Sequence, residues 1–76
     1  MSRRLRFISL TPDQQPIVND AYQHGEKRAL RRRAHAILLI HKGHTINQIR
    51  DILGVKRDTV STWLSQWEKD GIEGLQ

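Results

Sequence analysis

The sequence predicts an all-α fold, a small bundle of about four helices. Apolar residues recur at helical spacing in four segments, and these segments are separated by capping residues and glycines. Nowhere do four residues alternate between polar and apolar with the β-branched or aromatic content of a strand. The chain has 76 residues and no cysteine. A chain of this size buries only about 60% of its unfolded surface, so one core formed by helix packing is expected.

Two helices are predicted in the first half of the chain. The first runs from Thr11 to about His24, because Thr11 can cap it and Gln14 stands where its side chain would close a capping box. The second spans about residues 26 to 41, with Gly43 as its stop. The predicted inward-facing residues are Ile17, Val18, Ala21 and Tyr22 in the first helix, and Leu30, Ala34, Ile37, Leu38 and His41 in the second.

The second half predicts two more helices around Gly54. Thr45 can cap a short helix over residues 46 to 53, and a fourth helix follows over about residues 57 to 70, with Gly71 as its stop. The predicted inward-facing residues are Ile46, Ile49, Ile52 and Leu53 in the third helix, and Val60, Trp63, Leu64 and Trp67 in the fourth. This spacing favours core packing of the two tryptophans over stacking on nucleobases.

Two short helices joined by a glycine-containing turn, the second rich in short polar side chains, are typical of a helix-turn-helix in a homeodomain-like bundle. A positive φ at Gly54 would let the two helices cross without a Cβ clash. Asp58 could accept from a cytosine amine, although a favourable interaction with the helix dipole is the stronger interpretation. The residues predicted to contact bases in the major groove are Arg57, Asp58, Ser61, Thr62 and Ser65.

The charge distribution favours a polyanionic partner. The chain carries 13 Lys and Arg against 8 Asp and Glu, a formal net charge of +5. Arginines are concentrated near the N-terminus and on one face of the second helix, where the alternative of a solvated face without a partner stays open. The predicted phosphate contacts are Arg3, Arg4, Arg6, Arg28, Arg31, Arg32, Thr45 and Lys56.

Most of residues 10 to 75 resembles the N-terminal DNA-binding domain of bacterial insertion-sequence transposases of the mariner-like superfamily. The matching pieces are Arg33 and Ala34 before ILL, Gly43, Ile49, the LGV of residues 53 to 55, Thr59 with Val60, Trp63, and Gly71 with Gly74 and Leu75. The resemblance implies binding to the terminal inverted repeats of a mobile element, with the fourth helix in the major groove. The family has a small alanine where this chain has Arg50, so either Arg50 extends into solvent or the third and fourth helices lie further apart.

The resemblance also sets expectations for the whole protein. Transposases of this group carry a catalytic domain with three metal-binding acids, and we expect this chain to lack it. The chain alone is thus expected to be no enzyme and to have no catalytic residues, whereas a full-length parent would be a DNA transposase. The expected partner is double-stranded DNA in the bacterial cytoplasm or nucleoid, with a homodimer on DNA left open.

The domain plan predicted from the sequence is a basic arm over residues 1 to 10, a DNA-binding domain over residues 11 to 71 and the start of a linker over residues 72 to 76. No cofactor, metal, membrane or small-molecule substrate is predicted, since four histidines without a cysteine are a weak metal signal. Two alternatives stay open: a stand-alone regulator at a promoter operator, and a helical protein-interaction module.

Overall fold

The computed structural model describes residues 8–75, in which four α-helices are followed by a 3₁₀ helix. These elements are α1 (Gln14–His24), α2 (Arg28–His41), α3 (Ile46–Leu53), α4 (Arg57–Asp70) and the C-terminal 3₁₀ helix (Gly71–Leu75). Residues 8–75 contain no strand, which confirms the all-α prediction. The bounds of α3 and α4 are those predicted, whereas α2 begins two residues later than Glu26. None of these helices combines the length and the hydrophobicity that a membrane-spanning segment needs.

Two helices begin with the same reciprocal pair of hydrogen bonds. The Thr11 hydroxyl accepts from the Gln14 N–H at 3.2 Å, and the Thr11 N–H donates to the Gln14 side-chain oxygen at 3.1 Å. The regular part of α1 starts only at Gln14, so this predicted capping box spans the turn before it. At α3, Thr45 and Gln48 form the equivalent pair at 3.1 and 2.9 Å. The α3 box satisfies N–H groups that have no backbone partner within residues 8–75, whereas the Gln14 N–H also donates to the Thr11 carbonyl at 2.9 Å.

Helix α2 is central, because α1, α3, α4 and the 3₁₀ helix all pack against it. Three residues predicted to face inward are instead substantially exposed: Ile17 (50%), Tyr22 (37%) and Ile52 (51%). Helix α1 packs mainly on α2, and only its Val18 and Ala21 are buried in that contact. The buried core comprises Ile8, Leu10, Val18, Ala21, Ala34, Ala36, Ile37, Leu39, Ile40, Ile49, Val60, Leu64, Trp67 and Leu75.

Both ends of the described region differ from the predicted domain plan. The segment predicted as the start of a linker forms the 3₁₀ helix instead, and its Leu75 is fully buried. At the other end, Ile8 and Leu10 are buried, and the Leu10 N–H donates to Nδ1 of His41 at 3.0 Å. The predicted arm over residues 1 to 10 therefore includes core residues at its end. Arg3, Arg4 and Arg6 lie outside the described residues.

Candidate nucleic-acid interface

Helices α3 and α4 are joined by only three residues, and the turn depends on Gly54. Gly54 has φ 68° and ψ 38°, the left-handed conformation that the sequence predicted for it. The N–H groups of Gly54 and Val55 both donate to the Arg50 carbonyl, at 2.8 and 3.2 Å, which closes the end of α3. Apart from Gly54 itself and its two chain neighbours, no heavy atom would lie within 4 Å of a Cβ at Gly54. The predicted positive φ is confirmed, and this backbone conformation, not a clash between the helices, requires glycine.

An apolar contact under the turn fixes how α4 leans on α3. Ile49 of α3 and Val60 and Leu64 of α4 are fully buried. Val55 and Trp63 are half-buried and pack against this core, while Trp67 is only 7% exposed. The tryptophans are thus held by packing, in agreement with the predicted core role, and the opposite face of α4 is left outward.

The outward face of α4 carries all five side chains predicted to contact bases. Four of them, Arg57, Asp58, Thr62 and Ser65, are exposed, and Ser61 is half-buried. These positions recur at intervals of three and four residues, so they lie along one side of the helix. The Thr62 hydroxyl donates to the Asp58 carbonyl at 2.9 Å. Thr62 thus presents its methyl group and oxygen lone pairs to the outside, and its proton is already used.

The first and last turns of α4 carry two charges with different relations to this face. Asp58 lies in the first turn, where its carboxylate is attracted by the positive end of the helix dipole without forming a side-chain cap bond. Lys69 was not predicted as a site residue, yet it is exposed and lies four residues after Ser65 on the same side. Its helical spacing was the signal that could have identified it. The outward face therefore extends from Arg57 to Lys69.

Three consecutive arginines on α2 have different partners. Arg31 Nη1 donates to the Gly25 carbonyl at 2.6 Å, Arg32 Nη2 to the Leu53 carbonyl at 2.7 Å, and Arg33 Nη1 to the Leu75 carbonyl at 3.0 Å. Each acceptor lies at the C-terminal end of a different helix, where carbonyls lack helical partners and carry partial negative charge. Arg31 and Arg32, predicted to face outward towards phosphates, are thus half-buried and hydrogen-bonded within the protein.

The Arg32 bond also places the basic face of α2 relative to the turn. Because Arg32 reaches Leu53, the last residue of α3, this side of α2 lies beside the turn that leads into α4. Arg28 is exposed one helical turn before Arg32, and Lys56 is exposed at the start of α4. Exposed cationic side chains are therefore present both on α2 and at the start of α4.

At the start of α3, the Thr45 hydroxyl can offer a phosphate only one hydrogen bond. The Thr45 hydroxyl oxygen accepts from Gln48 within the capping box, so only its O–H proton is left to donate to a phosphate. Next to it, the His44 ring lies 3.2 Å from the Leu39 carbonyl through Nδ1. A carbonyl can only accept, so Nδ1 carries the proton and this end of α3 is tied to α2.

Arg50 extends into solvent, the first of the two predicted arrangements. Its guanidinium lies 3.2 Å from Oδ1 of the exposed Asp51, which keeps it on the surface rather than between the helices. An exposed ion pair of this kind contributes about 0–1 kcal/mol. The contact between α3 and α4 therefore depends on Ile49 and its apolar neighbours, and Arg50 takes part in the turn through its carbonyl.

The histidines have separate local roles. The His35 ring stacks on Tyr22 with centroids 4.5 Å apart, and burial lowers its pKa, helped by the nearby positive charges of Lys42 and His44. His24 pairs with Asp20 at 3.1 Å on the surface of α1. Within residues 8–75 no three His, Asp or Glu side chains converge in a way that could hold a metal ion.

Comparison with known proteins gives a family for this arrangement. A family of homeodomain-like domains matches residues 27–76, which include α2, the turn and α4. Comparisons with curated proteins and with solved structures gave no match. A homeodomain-like domain that contains a helix-turn-helix is a domain type that suggests DNA binding. Because the matched region covers more than half of the chain, this protein belongs to the homeodomain-like family.

Proposed function

We propose that this chain binds double-stranded DNA sequence-specifically, with α4 lying in the major groove. The observation that carries the proposal is the division of α4 into a buried face and an exposed polar face that begins at Arg57. A helix held rigidly by its apolar side, with Arg and short hydroxyl side chains outward, can present several groups to base edges at once. In this proposal Arg57, Asp58, Ser61, Thr62 and Ser65 contact bases.

Phosphate contacts would come from cations around the start of α4 and from the segment before Ile8. Arg28 on α2 and Lys56 at the start of α4 are exposed, and the Thr45 hydroxyl adds one donor; Arg31, predicted as a phosphate contact, is left out because it binds the Gly25 carbonyl. Arg3, Arg4 and Arg6 belong to the residues that the structure does not describe. Such contacts supply affinity and register without reading sequence, so they and α4 would have separable roles.

The biological role that we propose is recognition of the terminal inverted repeats of a bacterial mobile element, as the DNA-binding part of a transposase. The support is the resemblance carried by Gly43, the LGV of residues 53 to 55 and Trp63, in their order and spacing. In this role the chain would act on DNA in the cytoplasm, and any strand cleavage or joining would need residues outside it. A homodimer would be formed on the two ends of the element.

Selection from a pool of random duplexes tests both levels of this proposal. The 76-residue chain should enrich one sequence, and genomic copies of that sequence should flank a mobile element. Enrichment of a palindrome within promoters would instead support a transcriptional regulator. Binding to random duplex at low salt should reach a Kd of about 10⁻⁴–10⁻⁶ M or tighter. If the chain bound no DNA under these conditions, a protein-interaction module would be the better interpretation.

Two exposed arginines provide a matched test of the division between bases and phosphates. Arg57→Ala should remove a base contact of about 1–3 kcal/mol and change the preferred site. Arg28→Ala should weaken all sites alike and reduce the slope of log K against log salt by about 0.9. Both side chains are exposed, and within residues 8–75 neither forms a hydrogen bond that its loss would break. Identical effects of the two substitutions on site preference would contradict the proposed roles.

A further inference from the structure

Arg32 forms a hydrogen bond that joins α2 to the turn of the helix-turn-helix. Its Nη2 donates to the Leu53 carbonyl at 2.7 Å, across 21 positions of sequence. A short bond from a charged donor is about twice as strong as one between neutral groups. Leu53 is the last residue of α3, so its carbonyl has no acceptor role inside that helix. The guanidinium thus satisfies a group that the helix itself leaves open.

The bonded carbonyl belongs to the peptide that joins Leu53 to Gly54. Rotation of that peptide is coupled to the backbone of Gly54, whose φ of 68° directs the chain into α4. Helix α2 packs on both α3 and α4, so a bond from α2 to this peptide ties the turn to the body of the domain. The direction in which α4 leaves the turn is therefore supported by Arg32 as well as by the apolar contact below.

We propose that Arg32 is a positioning residue for DNA recognition: it holds the turn so that the exposed face of α4 meets base edges in register. Its Nη2 donates to Leu53, and we assign the guanidinium to this bond and not to a phosphate. This inference rests on the proposed DNA-binding function and assigns to Arg32 a different role from that predicted from the sequence. A small displacement of the side chains that contact bases weakens binding to the specific site far more than it weakens the attraction between cations and phosphates.

Arg31 is the matched control for this proposal. It lies on the same helix, carries the same charge and donates an equally short bond of 2.6 Å to a carbonyl, that of Gly25. Gly25 follows α1, which makes no part of the turn between α3 and α4. Arg31→Ala therefore removes one charge and one bond of the same type without affecting the peptide before Gly54.

The test uses the 76-residue chain, the duplex that the wild type selects from a random pool, and an unselected random duplex. Arg32→Ala should lower the ratio of selected to random affinity by about tenfold, the effect of losing one charge-assisted bond. Its affinity for random duplex and its salt slope should stay close to those of the wild type. Arg31→Ala should leave the ratio unchanged. In the free protein, hydrogen exchange of the Gly54 and Val55 amides should accelerate in Arg32→Ala alone.

Other results would overturn the inference. A salt slope reduced by about 0.9 in Arg32→Ala, with an unchanged affinity ratio, would make Arg32 a phosphate ligand. An unchanged ratio with a lower melting temperature would make it merely structural. If Arg32→Ala does not fold, Arg32→Met applies the same test, because methionine keeps an apolar stem and has no N–H donor. A wild type that enriches no sequence overturns the proposed specificity, and the role of Arg32 with it.

Discussion

The cations of α2 and those at the start of α4 differ in the groups that they contact. On α2, Arg31, Arg32 and Arg33 each donate to a carbonyl at the end of another element. At the start of α4, Lys56 and Arg57 are exposed, and within residues 8–75 no hydrogen bond or ion pair involves their side chains. The first group stabilises the fold, and the second is available to a ligand.

Helix geometry explains why three adjacent arginines can serve three partners. Successive residues of an α-helix point about 100° apart, so a run of three fans out over more than half of the helix circumference. Helix α2 is surrounded by the other elements, and the run therefore meets the ends of α1, α3 and the 3₁₀ helix in turn. A run of basic residues that lies beside such ends is therefore weaker evidence of a nucleic-acid surface.

The largest expected effect is on stability and distinguishes Arg33 from Arg57. Arg33→Ala should lower the free energy of unfolding by about 1.5–3 kcal/mol, because it removes a charged donor from the Leu75 carbonyl at the end of the 3₁₀ helix. Arg57→Ala, at an exposed position, should change it by no more than about 0.5 kcal/mol. Urea unfolding followed by circular dichroism measures both. Similar losses in the two variants would erase the distinction between the groups.

The second largest expected effect is the loss of stability when Gly54, in the turn between α3 and α4, is replaced. Gly54→Ala should cost about 1–2 kcal/mol, because a side chain in the left-handed region is disfavoured even where space is available. Gly54→Asn should cost less, since asparagine tolerates this conformation. Equal losses for alanine and asparagine in the same unfolding measurement would show that steric crowding, and not the backbone angle, requires glycine.

The sequence was sufficient for the elements whose signals are local. The bounds of α3 and α4 depend on Thr45, Gly54 and Gly71, each of which acts on the backbone next to it. The same holds for the capping box of Thr11 and Gln14. The two faces of α4 follow from its helical period, so the exposure of the candidate side chains could be predicted as well, while their contacts with DNA stay a prediction.

What the sequence could not supply depends on neighbours distant in the chain. Ile17 and Ile52 have the right spacing for burial, but no element within residues 8–75 covers them. The two glycines of the C-terminal segment suggested a linker, whereas Leu75 finds a place in the core and Arg33 binds its carbonyl. The acceptors of the α2 arginines lie 6 to 42 residues away, and Arg31 and Arg32 were accordingly assigned to phosphates.

The third expected effect is a smaller loss of stability when the threonine of either capping box is replaced. Thr45→Ala should lower the free energy of unfolding by about 1 kcal/mol, because it removes the acceptor of the orphan Gln48 N–H. Thr11→Ala should cost less, because the Gln14 N–H also donates to the Thr11 carbonyl at 2.9 Å. Only Thr45→Ala should also weaken DNA binding, since α3 precedes the proposed reading helix and α1 does not. Melting temperature and affinity for the selected duplex measure the two effects. A comparable loss of affinity in Thr11→Ala would place α1 at the DNA surface.

The smallest expected effect is the dependence of stability on pH that comes from His35 of α2. The pKa of His35 is lowered from its usual 6.5 by burial and by the positive charges of Lys42 and His44. The folded state therefore binds fewer protons than the unfolded state. His35 thus imposes no cost above pH 6.5 and destabilises the fold as pH falls through 6.5 towards its lowered pKa.

His35→Phe keeps a ring against Tyr22 and removes this titration. Between pH 7.5 and about 5 it should lose less stability than the wild type in urea unfolding, by an amount smaller than the loss of one cap. If His35→Phe and the wild type lost stability in parallel, the burial of His35 would have no energetic consequence.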